Sequence, residues 1–398
     1  TIMPFSYFQM LRDQNKPAGT GFLSHSYTGP VIYTEEEKFQ KIHFSDLDKN
    51  KAEYPTNDDN GWIAMLEHYF LTAWLPEQDT PREYYAKRLA VNQYTAGVIA
   101  PVGAIEPNQM QNISMPFYAG PQEQKKLAEL SPGLELTVDY GWLTILAVPL
   151  FTLLSFYHSY VDNWGIAIIL LTLTVKLIFF PLSAAGYRSM AKLRVVTPKL
   201  QRIREQYASD KQRMNQAMME FYKAEKINPM GGCLPMALQM PIWFALYRFF
   251  PASIEFRQES FLWAQDLSSY DAAFWLPFEV PFYGDHISLF TLLWALTTVA
   301  YSWYNMRHLD MNAMSNPMMK YMQYGMPIMF LFFFNSFSSG LTCYLFFSSL
   351  FNIGQTVITK NYLINHDKIK RELDEYKKKP KKKGGFQARL WFVLTQGH

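Results

Sequence analysis

A single lysine lies deep within a long apolar run and is the clearest candidate for a chemical role. Lys176 stands in the run ILLTLTVKLIFFPL, about twelve residues into the apolar segment 164–182. In a helix that rises about 1.5 Å per residue, its ammonium group would lie roughly 18 Å into a hydrocarbon layer about 30 Å thick. A cation at that depth costs at least ~2.5 kcal/mol and indicates a functional site by default. It would attract acidic or polar groups.

Polar side chains accompany this lysine at helical spacing. Thr172 lies one turn before it, and Ser183 continues the same face. The candidate lining of a shared site is Thr172, Gln239, Asn335, Ser349, Asn352 and Gln355. Two alternatives stay open. Lys176 could snorkel to the membrane surface, and the polar residues could serve only to join neighbouring helices.

Five apolar segments of roughly bilayer length would position these side chains. They are 164–182, 233–254, 287–306, 321–337 and 341–359. Only Ser338, Ser339 and Gly340 separate the last two, which predicts a tight helical hairpin. None of the five contains Asp or Glu. A buried ammonium group without a counter-ion needs water, so we expect these helices to enclose a hydrated cavity.

Residues 141–161 form a further apolar stretch before the first of these segments. Pro149 interrupts it, and aromatic residues and a histidine gather at its end. These features favour an amphipathic helix that lies in the membrane interface. A membrane-spanning helix is the alternative.

The charges of the loops predict the orientation of the segments. The loop 183–229 and the tail 362–398, which contains KKKPKKK, are basic, whereas the loop 255–286 is acidic apart from Arg257. The positive-inside rule places the basic parts in the cytoplasm. Five crossings then leave residues 1–140 outside the cytoplasm.

Residues 1–140 differ from the rest in being mixed and polar. Short stretches such as GPVIYT and LELTV stand between Asn, Asp, Gly and Pro clusters, which predicts a β-rich, sandwich-like domain. GWIAMLEHYFLTAWLP is too short for a comfortable span and predicts a buried strand pair or a short helix. Because an exported domain needs an export signal and Thr1 is not a natural start, we expect a leading membrane helix to be absent from this chain.

The basic loop 183–229 has its own helical pattern. One apolar face consists of Met190, Leu193, Val196, Leu200, Ile203 and Tyr207, and a second begins with Met214, Met218, Phe221 and Tyr222. Ser209 and Asp210 between them supply a helix cap. The pattern predicts an antiparallel helical hairpin with a methionine-rich seam. Those methionines either fill the hairpin's own core or contact varied partners.

Several long motifs resemble those of the YidC membrane-protein insertases, in the same order. They are NWGIAIILLTLTVKLIFFPL, DKQRMNQAMMEFYKAEKINPMGGCLPMALQMPIWFALY and SSGLTCYLFFSSLFNIGQTVITK, while GWIAMLEHYFLTAWLP and LELTVDYGWL resemble the end of the periplasmic domain of Gram-negative members. The resemblance implies a five-helix core, residues 162–361, with a hydrophilic groove open to the cytoplasm and the lipid. The family's groove cation, usually arginine, falls on Lys176. Its polar lining falls on Thr172, Gln239, Ser349 and Asn352.

The resemblance also implies a function without bond chemistry. We expect a chaperone that inserts and folds new proteins in the bacterial inner membrane, alone or with the Sec translocon and its accessory subunits. The tail would bind either ribosomal RNA or anionic lipid headgroups. Lysine in place of arginine keeps the charge but loses the planar fork, and the periplasmic part is shorter than a complete one.

Other functional classes fit the sequence less well. A small-solute transporter would use Lys176 as an anion site, but the spans show no internal repeat. An intramembrane protease would need Ser/His, paired Asp or HExxH in the spans, and none occurs. Cys233 and Cys343 lie in apolar segments, which predicts neither a disulfide framework nor a metal cage. We therefore expect no cofactor, no metal and no DNA partner.

Overall fold

The computed structural model describes residues 5–13, 27–77, 79–106, 110, 112–138, 140, 143–225, 234–281, 283–308, 317–363 and 371. Cys233 and nearly all of the basic tail 362–398 lie outside these residues. The chain divides into two compact units. The first comprises Thr1–Leu171, Met240–Leu292 and Phe332–Leu345, and the second comprises Thr172–Gln239, Leu293–Leu331 and Phe346–His398.

An antiparallel β-sandwich forms the N-terminal part of the first unit. Its strands are β1 (Phe5–Asp13), β2 (Gly29–Thr34), β3 (Lys38–Lys41), β4 (Asn57–Asp58), β5 (Trp62–Leu66), β6 (Phe70–Trp74), β7 (Arg82–Ala90), β8 (Gln93–Pro101) and β9 (Phe117–Pro121). One sheet has the order β1-β8-β7-β4 and the other the order β3-β2-β5-β6-β9. Met10 and Val98 of the first sheet pack with Ile32 and Ile63 of the second. The predicted β-rich, sandwich-like domain is confirmed.

Two predictions within this domain have different outcomes. GWIAMLEHYFLTAWLP forms the strand pair β5–β6, in which Ile63 lies opposite Trp74. The prediction of a β-stretch at LELTV is wrong, because Leu134–Thr137 forms a 3-10 helix. Gly133 before it has a φ of 77°, and the Leu136 amide donates to the Gly133 carbonyl at 3.1 Å. A glycine in the left-handed region begins a tight turn here, so local hydrogen bonds replace strand pairing.

Helices make up most of the rest of the described chain. They are α1 (Phe44–Asp48), α2 (Gln124–Leu130), α3 (Thr144–Val161), α4 (Trp164–Ile178), α5 (Phe180–Gln206), α6 (Lys211–Ala224), α7 (Leu234–Ala252), α8 (Leu289–His308), α9 (Pro317–Phe334) and α10 (Ser339–Ile358). The five predicted apolar segments correspond to α4, α7, α8, α9 and α10. Four residues, 335–338, separate the end of α9 from the start of α10, which agrees with the predicted tight turn between the last two segments.

Length and hydropathy alone single out fewer helices as candidate membrane spans. Among the described residues, α3 and Ser339–Tyr362, which contains α10, are each long and apolar enough to cross a membrane. Trp164–Ile178 and Phe180–Leu193 together form a bent third candidate, and Tyr324–Phe334 is a shorter apolar helix. By composition α3 could therefore cross the membrane, and its interfacial position stays a prediction.

The first apolar segment is bent instead of forming one straight helix. α4 ends at Ile178, and the axis turns by 56° before α5 continues. Pro181 lies in the first turn of α5. Proline has no N–H and its ring clashes with the carbonyl four residues earlier, so a helix tends to stop before it. The predicted apolar segment 164–182 therefore contains the end of α4, a bend and the start of α5.

The predicted helical hairpin is present in the second unit, formed by α5 and α6. The Asp210 carboxylate accepts hydrogen bonds from the amides of Gln212 and Arg213, both at 3.0 Å, and so caps α6. The apolar seam consists of the buried residues Ala191, Val196, Leu200 and Tyr222, with Leu193, Val195, Met218 and Phe221 packed against them. Of the predicted methionines, Met218 belongs to this seam, which supports a packing role for that residue.

The acidic loop between α7 and α8 contains a β-hairpin that the sequence analysis missed. Strand β10 (Ala272–Val280) pairs with β11 (Gly284–Ser288) in antiparallel fashion. The signal was the run of aromatic and aliphatic residues in AAFWLPFEV, followed by Pro281 and Gly284. The hairpin leads directly into α8.

Candidate functional site

Lys176 is buried and held by amide side chains from two other helices. Its side chain is only 2% exposed. The ammonium nitrogen Nζ, on α4, donates to Asn352 Oδ1 of α10 at 2.9 Å and to Gln239 Oε1 of α7 at 3.3 Å. All three residues belong to the second unit. Hydrogen bonds from a charged donor are stronger than those between neutral groups, so these two amides replace part of the ammonium group's hydration.

Helix α10 binds the main chain of Lys176 as well as its side chain. Gln355 Nε2 donates to the Lys176 main-chain carbonyl at 2.8 Å. Gln355 and Asn352 are three residues apart and therefore share one face of α10. The carbonyls of the last helical turn lack partners within the helix. The end of α4 at Ile178 thus exposes a carbonyl for Gln355 to bind.

A cluster of hydroxyl groups follows one turn further along α10. The Thr356 hydroxyl donates to the Asn352 carbonyl at 2.7 Å. It also lies 2.6 Å from the Tyr187 hydroxyl and 3.3 Å from that of Tyr301, and the two tyrosine hydroxyls are 3.0 Å apart. The polar contacts therefore continue from Lys176 through Asn352 to residues of α5 and α8.

Sequence reasoning missed the two tyrosines of this cluster. A usable signal was present, because a tyrosine in an apolar stretch usually has a hydrogen-bond partner for its hydroxyl. What the sequence could not give was that Tyr187 and Tyr301 meet each other across more than one hundred residues.

Three of the six residues predicted to line the site bond to Lys176. Gln239, Asn352 and Gln355 bond to it directly. Thr172 and Ser349 are buried one turn before Lys176 and Asn352, respectively. Asn335, also predicted to line the site, has its described partners elsewhere.

Asn335 belongs to a separate buried network in the first unit. Its side-chain oxygen accepts from the Ser288 amide at 2.9 Å, and its Nδ2 donates to the carbonyls of Tyr283 and His286 at 2.9 and 2.8 Å. The Asn335 carbonyl also lies 3.1 Å from His286 Nε2. These bonds fix the end of α9 to strand β11, which gives Asn335 a structural part in the described fold.

The environment of Lys176 differs from both sequence-based expectations. An ammonium group bonded to two amides at 2% exposure is not snorkelling to a surface. Amide oxygens contact it directly, where the sequence predicted water. A hydrated groove open on one side stays a prediction.

Comparisons with known proteins match nearly the whole chain. Residues 156–367 match the family described as "60Kd inner membrane protein", and residues 1–153 match the family described as "YidC periplasmic domain". A protein of Nitrosomonas europaea named "Membrane protein insertase YidC" is 55% identical over 364 residues, which cover 91% of this chain and 56% of that protein. A protein of the same name from Nitrosospira multiformis is 55% identical over 355 residues, covering 89% of this chain and 59% of that protein.

The chain thus spans between half and three fifths of the length of these two relatives. A solved structure titled "Active YidC insertase crystal structure with the first transmembrane domain resolved" is also similar. It has a TM-score of 0.44 and 17% sequence identity, and the match covers 89% of this chain and 83% of that one.

Proposed function

The chain belongs to the YidC family of inner membrane proteins, and on that premise we propose that it inserts newly made proteins into the bacterial inner membrane. No bond is made or broken in this activity. The substrate is a nascent membrane protein with a polar or acidic tail and an apolar segment. Lys176, with Gln239, Asn352 and Gln355 around it, receives the tail.

One observation carries this proposal, namely a buried ammonium group whose described side-chain partners are neutral amides. Those amides satisfy the charge without neutralising it, and the five apolar segments contain no Asp or Glu. An incoming carboxylate would form a charge-assisted bond, which is stronger than the bond to an amide. A substrate carboxylate can therefore replace the amides of Gln239 and Asn352 as the partner of Lys176, and these amides can then bond to the substrate's main chain.

The driving force comes from the lipid. Once the tail has entered the polar site, the apolar segment of the substrate can leave water for the bilayer, a transfer worth roughly 25 cal/mol per Å² of apolar surface. The Lys176 cluster only lowers the barrier for the polar tail, which would otherwise cross hydrocarbon unpaired. Many unrelated sequences could use such a device, because it recognises charge and polarity.

The orientation of the chain follows the loop charges. We place the β-sandwich in the periplasm and the α5–α6 hairpin and the tail 362–398 in the cytoplasm. In this arrangement the tail could contact ribosomal RNA or anionic lipid headgroups. Cooperation with the Sec translocon and its accessory subunits is a further part of this proposal and is supported by the family resemblance alone.

Purified chain in lipid vesicles tests the proposal most directly. A single-span protein with an acidic N-terminal tail, synthesised outside the vesicles, should become protease-protected at its tail when the chain is present. Vesicles without the chain, and vesicles carrying Lys176→Glu chain, are the controls. Protection no greater than in empty vesicles would contradict the insertase function.

A further inference from the structure

The β10–β11 hairpin exposes aromatic rings beside the start of α8, one of the five apolar segments. Phe274 is 64% exposed and Trp275 is 63% exposed. Phe278, further along β10, is 63% exposed. In a hairpin that faces water, large aromatic side chains are normally buried, because each can remove about 150–250 Å² of surface from water. Their exposure therefore points to a surrounding other than bulk water.

The base of the hairpin is rigidly fixed. The Asp271 carboxylate, which immediately precedes β10, accepts from Trp263 Nε1 at 2.8 Å and from the Phe290 amide at 2.9 Å. The Ser288 hydroxyl donates to the same carboxylate. Tyr270 stacks on His286 with ring centroids 3.9 Å apart. The exposed rings thus stand on a preorganised support, as binding surfaces do.

Strand register places the rings close to the level where α8 begins. Phe274 lies opposite Ile287, and Trp275 lies opposite His286. Ile287 and His286 precede Leu289, the first residue of α8, by two and three residues. At about 3.3 Å per strand residue, the rings stand at most about 7–10 Å from the helix start. The headgroup layer of a bilayer is about 5–8 Å thick on each side.

We propose that Phe274 and Trp275 insert into the headgroup layer of the membrane and anchor the outer end of α8 at that depth. Trp and other aromatic rings favour this layer because it offers both apolar contact and polar partners. Glu279 and Asp285 give the hairpin an acidic character, which disfavours attraction to anionic lipids. Apolar burial therefore drives the contact, and salt should not weaken it.

A basic protein surface is the main competing occupant, and salt distinguishes it. Contact with such a partner would use Glu279 and Asp285 and would weaken as salt screens them. A second copy of this chain would instead show a dependence on protein density in the membrane. The lipid contact rests on the membrane setting of the proposed function but does not need insertion activity.

The test uses a fluorescent label on single cysteines in the full chain. Phe274→Cys, in a background with Cys233→Ala and Cys343→Ala, carries an NBD dye in phosphatidylcholine vesicles. Lipids with a nitroxide near the headgroup should reduce its fluorescence at least about twofold, equally at low and high salt. Val91→Cys is the matched control, since Val91 is 76% exposed but lies in the turn between β7 and β8; its dye should be quenched weakly.

Ile166→Cys on α4 separates failure of this inference from failure of the membrane setting. Ile166 is 42% exposed, and its dye should be quenched by lipid in any membrane-spanning arrangement. Quenching at position 166 with none at 274 above the level at 91 would overturn the anchor alone. Aqueous iodide serves as a second, water-soluble quencher. If the dye at position 274 is shielded from iodide but is not quenched by the nitroxide lipids, the anchor is overturned in favour of a protein partner. Loss of quenching at both 166 and 274 would overturn the membrane setting with it.

Discussion

Removal of the Lys176 charge should slow the insertion of substrates with acidic tails far more than that of substrates with neutral tails. Lys176→Gln removes the charge and keeps a polar group that can bond to Gln239 and Asn352. Lys176→Glu reverses the charge. Lys176→Arg is the matched control, because it keeps the charge in a side chain of similar length.

The contacts of Lys176 set the size of the expected effect. Its two acceptors, at 2.9 and 3.3 Å, are neutral amides, and the five apolar segments contain no Asp or Glu. A substrate carboxylate would therefore bring an opposite charge that these segments do not supply. At a separation of 4 Å and an effective dielectric constant near 20, the attraction is about 4 kcal/mol. Desolvation of both groups offsets part of this. If about 1.4–2 kcal/mol of this attraction stabilises the transition state, removing the charge slows insertion by about 10–30-fold.

The assay compares two substrates that differ only in tail charge. Each is inserted by wild-type or variant chain in vesicles, and initial rates of protease protection are measured. Lys176→Gln should slow the acidic substrate by about 10–30-fold and the neutral one by less than about threefold, with Lys176→Glu more severe. Lys176→Arg should stay within about threefold of wild type on both. Equal losses on both substrates would refute the electrostatic reasoning and leave Lys176 a structural residue.

Three further predictions concern stability. Leu200→Ala should lower the free energy of unfolding of the α5–α6 hairpin by about 2–5 kcal/mol, because Leu200 is 2% exposed in its seam; limited proteolysis of the hairpin measures this. Burial raises the pKa of Glu255 to about 7 from 4.5. The folded state therefore favours the protonated acid, so the free energy of unfolding falls as the pH rises from about 4.5 to 7 and is level above that. Glu255→Gln should abolish this decrease of about 3 kcal/mol, which thermal melting between pH 5 and 8 measures. Tyr187→Phe should cost about 1 kcal/mol of thermal stability, since it removes one hydroxyl from the cluster with Thr356.

Two of these predictions have a control within the chain. Arg202→Ala removes an exposed side chain of α5, two residues after Leu200, and should leave the proteolysis of the hairpin unchanged. Glu259→Gln, an exposed acid four residues after Glu255, should keep the pH dependence of the wild type. An unchanged slope in Glu255→Gln, or a Tyr187→Phe variant as stable as wild type, would contradict the respective reasoning.

The sequence was enough to predict the β-rich N-terminal part and the apolar helical segments that follow it. Hydrophobic length and helical spacing are local properties, so the five apolar segments, the hairpin and its Asp210 cap follow from the residues in order. For the run GWIAMLEHYFLTAWLP the sequence left a strand pair and a short helix open, and the strand pairing of β5 with β6 decided between them. Lys176 stood out because a cation in an apolar run is rare whatever it contacts.

Tertiary structure alone decided which polar residues act together. Gln239 is 63 residues from Lys176 and Asn352 is 176 residues away, and nothing in their spacing selects them over Asn335. The bend before Pro181 and the helix contacts determine which side chains converge, and they assigned Asn335 to the network at β11 instead. Tyr187 and Tyr301 join the site for the same reason. The chain's local chemistry thus specified the helices and the charge, while packing between distant segments specified the partners of that charge.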